Sequence, residues 1–165
     1  MSSASARLGW CLSQLMLSRF DSTVLTSGAD LVVILGGIND IGQGFSVDSI
    51  VANIATMAQR ADEAGIRVVL CSVMPADTYY TQLVDAQSTI PLLTEKILAL
   101  AQQNGYLYAD YYDEMLDGTD DGLPNMALFK HGLHPNAAGY EVMWGVLQPL
   151  FGGILGAASR RSVAD

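Results

Sequence analysis

Leu31-Val32-Val33-Ile34-Leu35-Gly36-Gly37-Ile38-Asn39-Asp40 is the stretch from which the chain is best read. A short apolar run rich in branched residues, ending in two glycines, predicts a strand buried on both faces. The glycines allow a sharp turn at the strand's carboxyl end, where open α/β sheets hold their ligands. Gly37, Ile38, Asn39 and Asp40 are therefore expected on that rim, facing whatever binds there. Taken alone, the stretch also fits an ordinary strand followed by an Asn-Asp turn.

A second stretch changes the reading: Lys130-His131-Gly132-Leu133-His134-Pro135-Asn136-Ala137-Ala138-Gly139-Tyr140. A strand running into Gly-Gly-Ile-Asn-Asp, with a late Gly-Leu-His-Pro-Asn-Ala-Ala-Gly-Tyr, resembles the SGNH (GDSL-type) hydrolases. The resemblance runs from Leu31 to about Leu150. It implies a flavodoxin-like hydrolase fold and an activity on carboxylic esters.

Composition narrows the classes independently. A chain of 165 residues, half of them apolar, makes one domain with a real core. The net charge of −9 speaks against nucleic acid and anionic membrane surfaces as partners. No apolar run approaches the ~20 residues of a membrane span. Cys11 and Cys71 lack metal or disulfide-framework spacing and read as buried thiols of a reducing compartment. Leu8 to Leu17 is apolar after Arg7, but no small-residue cleavage site follows, so no signal peptide is expected and the chain reads as cytoplasmic.

Met1 to Arg7 is Ser/Ala-rich and expected to be loose. Leu8 to Phe20 predicts a packing helix with Leu8, Leu12, Leu15 and Met16 on one side, and Gly28 a turn before the strand. Gly42-Gln43-Gly44 is a flexible loop that borders the rim, without the lysine of a phosphate loop. Ser46 is a good N-cap for a helix from Val47 to about Ala64, which Gly65 stops. Its Val47, Ile50, Val51, Ile54, Met57, Ala58 and Ala61 make one apolar stripe.

Ile66 to Val73 is a second buried strand closed by Pro75, with Ser72 a core or turn hydroxyl. Ala76 to Gln87 is a polar loop whose Tyr79 and Tyr80 are a candidate pocket wall. A helix follows from Ser88 or Ile90 to Gln103, with Pro91 in its first turn. Tyr106 to Tyr112 is the third strand. Asp113 to Asp121 carries five carboxylates without the spacing of a calcium loop, and reads as solvated. Pro135 or Asn136 opens a last helix to about Leu150, with Tyr140, Met143, Leu147 and Leu150 on one face and a frayed tail after Gly152-Gly153. Alternating strands and helices imply parallel pairing and a three-layer α/β/α domain with a short sheet.

Ester hydrolysis needs a nucleophile, a base for its proton and donors aimed at the oxyanion. The resemblance implies Asn39 as an oxyanion donor and His134 as the base. It also shows departures. There is no Gly-Asp-Ser block, so the family's first strand and its nucleophilic serine are expected to be missing. Three residues before His134, where the family has its triad aspartate, stands His131, and an imidazole cannot stabilise an imidazolium as a carboxylate does. Gly9 stands roughly where an oxyanion glycine would. The nucleophile is unassigned: Ser2, Ser3 or Ser5, a residue of a partner chain, or water activated by His134.

Without the family's first strand, Leu31 to Leu35 becomes an apolar edge with unpaired amides. A homo-oligomer is therefore expected, pairing that strand or covering it with the Leu8–Phe20 helix. Three functions follow. One is a divergent esterase acting on a small-molecule ester without a cofactor. Another is an inactive remnant that binds a small ligand or self-assembles. The third is a metal site of His131 and His134 with Asp40 or an acidic-loop carboxylate.

Overall fold

The computed structural model describes residues 12–77 and 86–161. Three strands, β1 (Leu31–Ile34), β2 (Arg67–Cys71) and β3 (Leu107–Ala109), form a parallel sheet in that order, with Ile34 level with Leu70 and Cys71 level with Ala109. Alternation along β2 separates two cores. Val68 and Leu70 point into one with α3 (Val47–Glu63) and α4 (Ala86–Asn104), while Val69 and Cys71 point into the other with α6 (Ala137–Arg161). The result is the expected α/β/α layering.

The α3 stripe falls as the spacing predicts: Ile50, Ile54, Met57, Ala58 and Ala61 are buried. Ser46 caps it, accepting from the Ser49 amide at 3.3 Å, and Gly65 follows its end with φ 76°. Burying each large apolar side chain is worth about 1.5–3 kcal/mol, so this helix anchors its face of the sheet.

Other elements depart from the sequence expectations. Among the described strands β1 lies at an edge, and Val33 is 38% exposed, so the strand is not buried on both faces. In α1 (Ser13–Phe20) the inward residues are Ser13, Met16, Leu17 and Phe20, while Leu15 faces water. Leu12 is the N-cap and outside the helix, which moves the i, i+3, i+4 face by one position. The Leu8–Cys11 part of the expected helix lies outside the described residues.

The helix α4 starts at Ala86, which puts Pro91 inside it and not in its first turn. Tyr111 and Tyr112 belong to a short helix, α5 (Tyr111–Glu114), because the Asp110 side chain caps it and accepts from the Asp113 amide at 3.2 Å. The last helix runs to Arg161, through the expected frayed tail, and Tyr140 is exposed while Met143, Leu147 and Leu150 pack against the second core. Asp117 accepts from the Thr119 amide and hydroxyl at 2.9 and 2.6 Å, which lowers its carboxyl below the usual range and closes a local turn in the acidic loop. Among the described residues no helix is long and apolar enough to cross a membrane.

A hairpin that the periodicity does not announce completes the fold: β4 (Phe129–Lys130) and β5 (His134–Pro135), antiparallel, with Lys130 opposite His134. It carries the second motif to the sheet's carboxyl end.

Candidate active site

A cavity of about 320 Å³ opens at the carboxyl ends of β1 and β2. The segment after β1 supplies Leu35, Gly36, Gly37, Ile38 and Asn39; the segment after β2 supplies Val73 and Met74. Leu133, His134 and Pro135 of the hairpin and Tyr140 and Met143 of α6 close the remaining side. Asn39 and His134, far apart in sequence, thus line one space.

Local chemistry explains each placement. Gly37 has φ 118°, a backbone that side chains rarely adopt, and a Cβ there would come 2.7 Å from Leu93 Cδ2. This sharp bend starts α2 (Ile38–Gly42), so Asn39 sits in a helical turn rather than a loop. On the opposite wall Asn136 clamps the motif. Its Nδ2 donates to the Ala127 carbonyl at 2.8 Å, its amide donates to the Leu128 carbonyl at 2.9 Å, and its Oδ1 accepts from the Gly139 amide at 3.1 Å. The Asp77 amide donates to the Gly132 carbonyl at 2.9 Å, tying the hairpin tip to the segment after β2.

The remaining candidates fall into place as follows. Gly37 and Ile38 line the cavity as expected of rim residues. Asp40 does not. It is 2% exposed, and both its carboxylate oxygens accept from Ser13, so its side chain points into the protein instead of toward a ligand. Its place after the glycine turn at the strand's carboxyl end puts Asp40 on the rim by sequence; here a buried amide and hydroxyl attract it inward. None of Gly42–Phe45 reaches the cavity.

His131 is exposed at the hairpin tip with φ 55° and does not line the cavity. Gly9, Ser2, Ser3, Ser5, Cys11, Tyr79 and Tyr80 lie outside the described residues. Among the described residues no serine, threonine or cysteine lines the cavity.

Ser72 is fully buried, donating to Asp110 at 3.2 Å and accepting from the Tyr112 amide at 2.8 Å, a structural hydroxyl. Burial pushes the Cys71 thiol up to about 12, far from the thiolate that a nucleophile needs. No group of three or more His, Cys, Asp and Glu side chains able to hold a metal occurs among the described residues, and Asp40's oxygens are held by Ser13. A second cavity of about 290 Å³, at Asp62, Arg67, Asn104 and Tyr106, lies at the opposite end of the sheet and carries no motif residue.

The profile of the GDSL-like lipases and acylhydrolases matches residues 4–142. The chain belongs to that family. Solved GDSL-family structures agree with this assignment. The chain is similar to a GDSL-like lipase from Bacteroides thetaiotaomicron, at 30% identity over 88% of this chain and 73% of that one, with a TM-score of 0.82. It is similar to a protein assigned as an acylhydrolase from Bacteroides fragilis, at 32% identity over 89% and 73%, with a TM-score of 0.83. An acetyl-xylooligosaccharide esterase from Geobacillus shares the fold, at 16% identity over 84% and 67%, with a TM-score of 0.68. Among curated proteins, none matches the chain. The hydrolase fold of this GDSL-family chain is therefore that of its relatives, and its cavity lies at the carboxyl edge of the sheet.

Proposed function

We propose that the protein hydrolyses carboxylic esters, with His134 as the general base and Asn39 as an oxyanion donor. One observation carries the reading: both residues line a single cavity at the carboxyl edge of the sheet. His134 takes the proton from the attacking O–H as oxygen adds to the ester carbonyl. The Asn39 amide donates to the oxygen that becomes negative, and the imidazolium returns its proton to the departing alkoxide. The attacking O–H is either a serine hydroxyl or a water. With water the carboxylic acid and the alcohol form directly, with no acyl-enzyme.

A second reading has its own support. Without a serine, threonine or cysteine among the described cavity residues, and with His131 where the family has a carboxylate, the cavity also suits a protein that binds a small ligand and does not turn it over.

Hydrolysis of p-nitrophenyl acetate by the native chain, His134→Ala and Asn39→Ala separates the two. The esterase reading expects both variants to lose at least about ten-fold in kcat/KM at unchanged folding. Equal rates in all three, or none in any, would sink it. Labelling by a fluorophosphonate, mapped by mass, then tells serine from water.

A further inference from the structure

We infer that Asp40 is a positioning residue that fixes the orientation of Asn39; the inference rests on the proposed role of Asn39. The carboxylate of Asp40 lies 3.1 and 3.0 Å from the Ser13 amide through its two oxygens, and Oδ1 accepts from Ser13 Oγ at 2.6 Å. That hydroxyl in turn accepts from Asn53 Nδ2 on α3 at 2.9 Å. Helix α1 has Leu12 as its N-cap and no capping side chain of its own. Asp40 therefore caps α1 from a distant turn, placing a negative charge where the helix presents its first unpaired amide.

The geometry passes this constraint to Asn39. A five-residue helix such as α2 has almost no stability of its own. Its ends are held by the Ile41 amide on the Gly37 carbonyl and the Phe45 amide on the Asp40 carbonyl, each at 3.0 Å. The Gln43 amide on the Asn39 and Asp40 carbonyls, each at 3.1 Å, closes the turn, and its buried side chains, Asp40 and Ile41, set how the closed turn is rotated against the core. Successive residues in a helix are about 100° apart, so pinning Asp40 against α1 and α3 turns Asn39 toward the cavity. A carboxylate suits this because Ser13 offers it two donors. Asn at position 40 would direct an NH2 group at one of them.

Asp40→Asn and Ser13→Ala test the inference, with Ile97→Val, a core trimming on α4, as the control for lost stability alone. An oxyanion donor acts on the transition state, so misplacing it lowers kcat and leaves KM. The expected result is a kcat loss of about ten-fold in Asp40→Asn with KM within two-fold, and little change in Ile97→Val. In parallel, the Asn39 side-chain amide is followed by 1H-15N NMR. It should move in Asp40→Asn, move less in Ser13→Ala and stay in Ile97→Val. An Asn39 resonance unmoved in both Asp40→Asn and Ser13→Ala overturns the inference, as does a kcat loss no larger than that of Ile97→Val. If the native chain hydrolyses no ester, the esterase reading falls, and the Asn39 resonance alone decides this one.

Discussion

Gly139→Ala is expected to destabilise the protein by about 3 kcal/mol, while the same change at Gly145 on the same helix costs nothing. A Cβ at position 139 would be driven into the Leu128 carbonyl oxygen and would sit 3.0 Å from Pro135 Cβ, whereas at Gly145 it meets nothing within 4 Å. The Leu128 carbonyl cannot swing aside cheaply, because it accepts the Asn136 amide. Relief would come from moving α6 away from the hairpin, which breaks the Asn136 clamp as well. Urea unfolding would read the difference, and thermal unfolding would show it as a shift of roughly 10 °C for a chain of this size. Equal stabilities for Gly139→Ala and Gly145→Ala would mean that the helix does not bear on the hairpin in this way.

His131→Asp is expected to raise ester hydrolysis by about a hundred-fold, approaching part of the roughly 10⁴-fold that a carboxylate orienter is worth in a serine triad. The substitution needs no new backbone, since aspartate tolerates the left-handed conformation that His131 adopts at φ 55°. The gain requires the new carboxylate to reach the His134 imidazole, which it would then hold in one tautomer and stabilise in its charged form. His131→Asn supplies the same shape without the charge and should stay near the native rate. If Asp and Asn are equally ineffective, the hairpin tip does not serve His134 in this chain.

The two motifs were legible because each is a contiguous run whose neighbours impose its shape: Gly37 bends the chain ahead of Asn39, and Asn136 clamps the turn after His134. The α3 stripe was legible because helix periodicity and burial agree: Ile50, Ile54, Met57, Ala58 and Ala61 are buried, and Val47 and Val51 pack half-buried against the same core. Asp40 was misread for a physical reason. Its partner is the backbone amide and hydroxyl of Ser13, and a backbone donor leaves no mark in the sequence. The strand expected over Tyr111 and Tyr112 failed because β-propensity, which reflects packing, lost to a cap at Asp110. The hairpin had no signature, since strands of two residues show no alternation. At β1 the branched residues gave the strand itself, but composition does not say which side of a sheet has a neighbour.

The halves of the cavity also differ in what it takes to undo them. The turn that carries Asn39 is tied through its neighbour Asp40 into a network spanning α1, α2 and α3, all packed on the larger core. His134 stands exposed in a two-stranded hairpin, with most of the chain between it and Asn39. Chain separation contributes little to this contrast, because loop closure costs only about 0.6 kcal/mol per doubling of length. The short hairpin matters more: it buries Phe129 and Pro135, but only two residue pairs make its ladder, and such small surface units open below the global unfolding free energy. Gentle heating should therefore release the imidazole while the sheet and its amide donor stay folded, so inactivation would come before melting and reverse on cooling.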